Sequence, residues 1–401
     1  MKYKNDLSVK FCGIKFENPF VLAPAPSTDD LEMCRNGLKK GWAGVILKTT
    51  SVESQPVDLV YPLMSGVPFG KNRMMAMGNI DLISEIHIDE VEKRVKVLKS
   101  EFPEKVIGAS MMGACEAHWK ELAGRLSDAG ADIIECSFSC PQGSIGEKPN
   151  RMLAQDKKLA AKVAGWVKES AGKVPVVIKI TSQVESITET AQAILDSGVD
   201  AICAMNTLQS IPGIDLNTWI PYPNVGGKST YSGLSGQAVK PVTLKVIAEL
   251  KKALGCEITG TGGCTTWKDA VEFLLCGASM IQICTAVMLR GFGVIDKLCE
   301  GLSDYMAEKN LTSVHELIGG SLPNIVTHDQ LPKQRRGSVI YQIDQAKCTR
   351  CGLCYTACED GGHRAIDVNS DKVTTIDPER CYGCGLCYWV CPVNGCITNK
   401  K

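Results

Sequence analysis

The chain has 401 residues, 22% of them charged, and its 44 Lys and Arg are balanced by 44 Asp and Glu. That balance argues against a nucleic-acid footprint and against a polybasic membrane patch. No apolar run approaches the roughly 18 residues that a bilayer span needs. The start Met-Lys-Tyr-Lys-Asn-Asp has no apolar signal core, so a cytoplasmic location is expected. The length suits one large domain with a small appendage. Twenty cysteines without an export signal point away from a disulfide scaffold. Eleven are scattered through residues 1–337 and nine crowd into 348–396, which implies two different uses.

In chain order, Leu7 to Phe11, a turn at Cys12-Gly-Ile and Lys15 to Pro19 form an opening hairpin. Short β-branched runs then alternate with helical patterns. The strands are read at Phe20–Pro24, Gly44–Lys48, Val106–Ser110, Asp132–Cys136, Val176–Ile180, Asp200–Ala204, Glu257–Gly260 and Met280–Cys284. Helical patterns include Asp89–Lys99, Trp119–Ala129, Lys158–Ser170, Thr188–Ser197, Pro241–Ala253 and Trp267–Leu275. Four strands follow a helix-exit phrase with glycine as the residue past the helix: Lys40-Gly-Trp-Ala-Gly, Ala129-Gly-Ala-Asp, Ser197-Gly-Val-Asp and Cys276-Gly-Ala-Ser. Eight strand–helix alternations predict an α/β TIM (β/α)8 barrel, with a doubly wound sheet as the alternative.

A barrel places chemistry just past its strands. Strand one ends in Ala23-Pro-Ala-Pro-Ser-Thr28, strand two in Lys48-Thr49-Thr50, strand four in Ser137-Phe-Ser139-Cys140-Pro-Gln142, and strand five in Lys179. Strand six gives Asn206-Thr207, strand seven Gly260-Thr-Gly262-Gly263, and strand eight Cys284-Thr285. Insertions after strands two and six add Met77-Gly-Asn79-Ile-Asp81 and Gly226 to Ser232-Gly233. The polar run Gly143 to Asp156 reads as a mobile flap. The glycines after strand seven, with Cys284-Thr285, suit a phosphorylated cofactor because bare backbone N–H groups can approach an anion. Lys48 and Lys179 would place cations near a flavin ring, where they favour its anionic reduced form.

Near the C-terminus, Cys348-x2-Cys351-x2-Cys354-x3-Cys358 recurs as Cys381-x2-Cys384-x2-Cys387-x3-Cys391-Pro. This is the two-cluster ferredoxin spacing, in which each run's fourth cysteine crosses to the other cluster. One [4Fe-4S] cluster is then assigned Cys348, Cys351, Cys354 and Cys391, and a second Cys381, Cys384, Cys387 and Cys358. Zinc is the alternative and ordinarily uses separated pairs of ligands. Cys396 stands outside both runs and is given a structural place. Residues 1–328 are read as the barrel, 329–338 as a short linker that keeps the clusters close to it, and 339–401 as the two-[4Fe-4S] ferredoxin-like domain.

These features together resemble the pyrimidine-reducing subunit of bacterial NAD-dependent dihydropyrimidine dehydrogenase and the C-terminal part of the long-chain enzyme. The barrel is more distantly similar to class 1 dihydroorotate dehydrogenase. The resemblance runs from Leu7-Ser-Val-Lys-Phe-Cys-Gly to the second cysteine run, and Phe138-Ser-Cys-Pro-Gln142, Asn206-Thr207, Gly227-Lys-Ser229 and Ser232-Gly233 mark it best. It implies an FMN-binding barrel that reduces the 5,6 double bond of uracil or thymine. Cys140 matches the general acid, a role suited to a thiol that ordinarily titrates at roughly 8.5. Asn79, Ser139, Asn206 and Thr207 match groups that hydrogen-bond the pyrimidine. Ala23, Lys48, Thr49, Lys179, Ser232, Gly233, Gly262, Gly263, Cys284 and Thr285 fall at FMN-contacting positions.

Three positions depart from the family pattern: Asp81 stands for Glu, Ser137 for Asn, and Thr181-Ser-Gln183 for Thr-Pro-Asn. Sites built on such polar contacts discriminate strongly, so Asp81 and Ser137 are where the substrate would be retuned. No nucleotide-binding Rossmann segment is visible, which implies a partner subunit carrying FAD and an NAD(P)H site, hence a hetero-oligomer. Two alternatives remain: an oxidase-direction enzyme of dihydroorotate type, or one acting on another cyclic enone or amide, and a non-catalytic electron-transfer subunit.

Overall fold

Parallel strands covered on both faces read as continuous apolar runs, because neither face meets water. The computed structural model, which describes residues 3–68, 74–140, 152–334 and 337–400, bears this out strand by strand. The barrel strands are β1 (Phe20–Leu22), β2 (Gly44–Thr50), β3 (Val106–Met111), β4 (Ile133–Ser137), β5 (Val176–Lys179), β6 (Ala201–Ala204), β7 (Glu257–Thr261) and β8 (Met280–Ile283). Their residues are buried throughout, apart from a half-buried Glu257 at the start of β7. Each is parallel to the next in sequence, and β8 pairs with β1, so the sheet closes. Closure rules out the open doubly wound sheet. The strand ends lie within two residues of those read from the sequence.

The helix-exit glycines at 41, 130, 198 and 277 all have positive φ, between 87° and 112°, which releases each helix into the following strand. Two of these phrases end in an aspartate with a further task. Asp132 accepts Ile107 N–H at 2.8 Å and Lys99 Nζ at 2.7 Å, tying the start of β3 to the helix Ile88–Glu101. Asp200 repeats the arrangement one unit later, accepting Val176 N–H at 2.8 Å and Lys168 Nζ at 2.6 Å. One carboxylate thus satisfies an N–H at the start of a neighbouring strand and fastens the helix outside it.

The insertions after β2 and β6 fold together. Leu208–Ser210, Ser232–Ser235, Met74–Asn79 and Met64–Pro68 form, in that order, a four-stranded sheet whose neighbours are antiparallel. In it Gly233 lies opposite Asn79. Most of the segment expected as a flap lies outside the described residues. Its described end is a short 3-10 turn, Leu153–Gln155, followed by Asp156, which caps the next helix by accepting from Leu159 N–H.

The chain divides into two units, Met1–Ile325 and Val326–Lys401. The second pairs Ile340–Ile343 with Ile397–Lys400 and Ile366–Val368 with Thr374–Ile376. Its helices, Leu353–Gly361 and Leu386–Val390, each begin where a cysteine loop ends, after Gly352 and Gly385. Among the described residues no helix is long and apolar enough to cross a membrane.

Replacing Asp200 by Ala removes a charge-assisted hydrogen bond and an ion pair from the start of β5. The expected loss is roughly 1.5–3 kcal/mol, read as a lower urea midpoint at unchanged slope.

Candidate functional site

A cavity of about 410 Å³ lies among the C-terminal strand ends and is roofed by the inserted sheet. Every cavity residue expected from the sequence lines it: Cys140; Asn79, Asp81, Ser137, Ser139, Asn206 and Thr207; and Ala23, Lys48, Thr49, Lys179, Ser232, Gly233, Gly262, Gly263, Cys284 and Thr285. Cys140 is half-buried on the wall, immediately after β4 and Ser139. Pro141 and Gln142 lie outside the described residues.

Two buried lysines enter the cavity with different counter-charges. Lys48 at the end of β2 lies 3.0 Å from Asp81 Oδ1 and 3.6 Å from Asp29 Oδ2. Asp29 also accepts the Ser84 hydroxyl. Burial raises the Asp81 pKa, and Lys48 pulls against that rise. Lys179 at the end of β5 lies 3.3 Å from Glu135 Oε1 and 3.3 Å from Gln282 Oε1. Gln282 donates to the other oxygen of Glu135 and accepts the Cys203 thiol at 3.7 Å. Burial alone would lower the Lys179 pKa. Glu135, itself fully buried, outweighs that and holds the ammonium above its ordinary pKa.

The amides are oriented within the site. Asn206 donates through Nδ2 to Ser139 Oγ at 2.8 Å, and its Oδ1 accepts Thr207 N–H at 2.8 Å. Asn79 donates to the Gly233 carbonyl at 2.9 Å, joining the two insertions through a side chain as well as the ladder.

The loop after β7 is shaped for close approach. Gly262 and Gly263 have φ of 117° and 92°, and a Cβ on Gly263 would stand 2.6 Å from the Lys240 backbone nitrogen. Asp269 holds the loop in place by accepting Thr265 and Thr266 N–H at 3.0 and 2.8 Å, and Lys240 anchors it at 2.7 Å. Ser232 Oγ is buried on the cavity wall and, among the described residues, lacks a hydrogen-bond partner. A side-chain-free loop, an unpartnered hydroxyl and two buried ammonium groups fit a flavin whose phosphate is anionic.

Several contributors escaped the sequence reading. Asp29, Glu135 and Gln282 complete the charge pairing of the two lysines, and Gln209 and Met152 add to the lining. Glu135 and Gln282 carried a signal, since each is a polar residue inside an apolar strand run.

In the second unit Cys348, Cys351, Cys354 and Cys391 line one void, and Cys358, Cys381, Cys384 and Cys387 line another. Each void takes one cysteine from the other run. Cys396 is buried and lines the first void too. Among the described residues no three His, Cys, Asp or Glu side chains are drawn tightly enough together to hold a single ion.

Residues 6–306 match the dihydroorotate dehydrogenase family, and residues 341–399 match the 4Fe-4S dicluster domain. The chain belongs to the dihydroorotate dehydrogenase family. It is 39% identical over 366 residues to the NAD-dependent dihydropyrimidine dehydrogenase subunit PreA of Escherichia coli strain K12, covering 90% of this chain and 87% of that one. It is 35% identical to the chloroplastic dihydropyrimidine dehydrogenase (NADP(+)) of Arabidopsis thaliana, over 87% of this chain and 83% of the relative. It is also 35% identical to the catalytic subunit of dihydroorotate dehydrogenase B (NAD(+)) of Pyrococcus abyssi, over 79% of this chain and 99% of the relative. As a member of this family carrying the dicluster domain, the chain is a flavin- and iron–sulfur-dependent oxidoreductase acting on a CH–CH bond.

Glu135→Ala leaves Lys179 buried without its carboxylate, and the expected cost is roughly 3–5 kcal/mol. Adding Lys179→Met should recover much of that loss. Chemical unfolding of the two single variants and the double variant measures the coupling.

Proposed function

We propose that this protein reduces the 5,6 double bond of a uracil- or thymine-like ring. In this reading the barrel holds FMN, the second unit holds two [4Fe-4S] clusters, and a partner subunit carrying FAD and an NAD(P)H site supplies electrons. The observation that carries the reading is the meeting, in one cavity, of the Cys140 thiol, two buried lysines and a glycine cradle. The names of the E. coli and Arabidopsis relatives add support for the ring class, and the name of the E. coli relative, a subunit, supports the partner.

FMN, when bound, supplies a hydride to carbon 6 of the ring. Ala23, Thr49, Ser232, Gly233, Gly262, Gly263, Cys284 and Thr285 would hold it, the glycine loop and Cys284-Thr285 offering a cradle for its phosphate, with Lys48 and Lys179 compensating charge near its ring. Cys140 delivers the proton that carbon 5 requires, from Sγ, and must be reprotonated between turnovers. Asn79, Ser139, Asn206 and Thr207 orient the ring's amide edge, and the Asn206–Ser139 bond fixes which way that amide faces. Asp81 is one methylene shorter than the family's glutamate and is already paired with Lys48, so its freedom to accept from a ring N–H is reduced. Ser137 offers a hydroxyl where the family has an amide. The substrate that fits is a pyrimidine with altered demands at those two positions.

Anaerobically reconstituted chain should contain one FMN and about eight irons. Zinc without flavin would refute the reading. Cys140→Ala should lower turnover on the order of 10²–10⁴-fold while reduction of the flavin by the electron donor keeps its rate, which stopped-flow absorbance resolves. Uracil, thymine, orotate and simple cyclic enones can be compared by how fast each reoxidises the reduced flavin. A response to orotate alone would favour the dihydroorotate-type alternative. A response to enones alone would move the substrate class away from pyrimidines.

A further inference from the structure

The apolar strand β8 carries one amide, Gln282, which is 2% exposed. A buried amide costs free energy unless its donor and its acceptor are both used. Here both are. Oε1 accepts the Lys179 ammonium at 3.3 Å and the Cys203 thiol at 3.7 Å, while Nε2 donates to Glu135. An ammonium can only donate and a carboxylate can only accept, so one orientation of the amide serves both neighbours. Lys179 and Gln282 line the cavity, whereas Glu135 is fully buried and takes no part in the lining. The cation of the pair therefore faces what the cavity holds, and the anion is drawn back from it.

A buried ammonium keeps its proton only if something offsets the burial. Glu135, 3.3 Å away, supplies the offset. The other titratable groups around Lys179 are Cys203 and Cys284. Burial pushes both thiols up, Cys284 to about 11, so neither contributes a charge. The charge on Lys179 thus depends on one carboxylate, and its place on one amide. Reduced flavin in its anionic form carries one negative charge more than oxidised flavin, so a cation fixed at the cavity wall favours the reduced state.

We infer that Gln282 and Glu135 are positioning residues that hold the Lys179 ammonium against the cavity and so make the site prefer reduced over oxidised FMN. The inference rests on the FMN reading given above. It gives a task in the redox balance to a glutamate that does not line the cavity and to an amide inside an apolar strand.

The test uses full-length chain as wild type, Gln282→Met, Glu135→Gln, Lys179→Met and the double variant Gln282→Met with Lys179→Met. Urea unfolding first shows that each is folded. The affinity for oxidised FMN, and for FMN kept reduced by dithionite, is measured by anaerobic ultrafiltration, with the free flavin counted by its fluorescence after reoxidation. The quantity compared is the ratio of the reduced to the oxidised affinity. Lys179→Met should cut that ratio about tenfold, which is about 30 mV for a two-electron couple. Gln282→Met should cut it roughly threefold, the scale of one hydrogen bond. Glu135→Gln should move it toward the Lys179→Met value, and Gln282→Met should change it no further once Lys179 is already Met. A higher ratio in Glu135→Gln would overturn the inference, because the carboxylate would then act only by repelling the reduced flavin. Equal losses of both affinities at an unchanged ratio would overturn it too, and so would a Gln282→Met effect that persists without Lys179. Wild-type chain that binds FMN in neither state would sink the FMN reading itself, and that measurement precedes any comparison of variants.

Discussion

A charged amine cannot stand at the end of a closed, dry barrel without a partner. The pair Lys179–Glu135 is therefore the constraint from which the rest of the site follows. A buried ion costs several kcal/mol unless it is paired and hydrogen-bonded. Glu135 meets that demand on one side, and Gln282 bridges both partners on the other. The three residues come from β5, β4 and β8, so the pairing holds only if the strands keep their order and register. Ser137, which faces the cavity, stands directly opposite Lys179 in the ladder. The charge at the cavity floor and the hydroxyl three residues before Cys140 are thus fixed by the same strand pairing.

Cysteine serves the two units by opposite means. In the barrel, burial and a neighbouring carboxylate push the thiols of Cys136 and Cys203 well up, so they pack as small apolar groups. Cys140 differs by position, since it sits past the strand on the cavity wall. In the second unit Cys348, Cys351, Cys381 and Cys384 lie on loops that lead into helix starts, while Cys354, Cys358 and Cys387 lie in the helices themselves. Cys348 accepts Arg350 N–H at 3.4 Å, and Cys358 accepts Ala365 N–H at 3.3 Å.

The barrel was legible because buried parallel strands leave short β-branched runs, and because the glycine phrases mark where each helix stops. The site residues were legible for a related reason: a barrel brings its strand ends to one mouth, so position in the strand count stands in for position in space. The inserted sheet was hidden. Its strands hold Met, Gly, Ser and Pro rather than alternating β-branched residues, and Asn79 and Gly233 are separated by about 150 residues. Asp29 could not be paired with Lys48 from sequence, since a loop carboxylate just before a helix has many available partners. The neighbours of Cys396 were not legible, because ligand spacing says which cysteines bind and nothing about which other side chains line the same void.

The inserted sheet has a consequence for how this protein can change. Residues assigned to the flavin, Ser232 and Gly233, and a residue assigned to the ring, Asn79, lie on neighbouring strands with Asn79 opposite Gly233. A shift of one position along that ladder would turn Asn79 to the other face and withdraw Ser232 in the same movement. The lengths of the two insertions are therefore linked characters. A residue gained or lost in one strand would need a matching change in the other, and a chimera with a relative would keep its site only by inheriting both segments from the same parent.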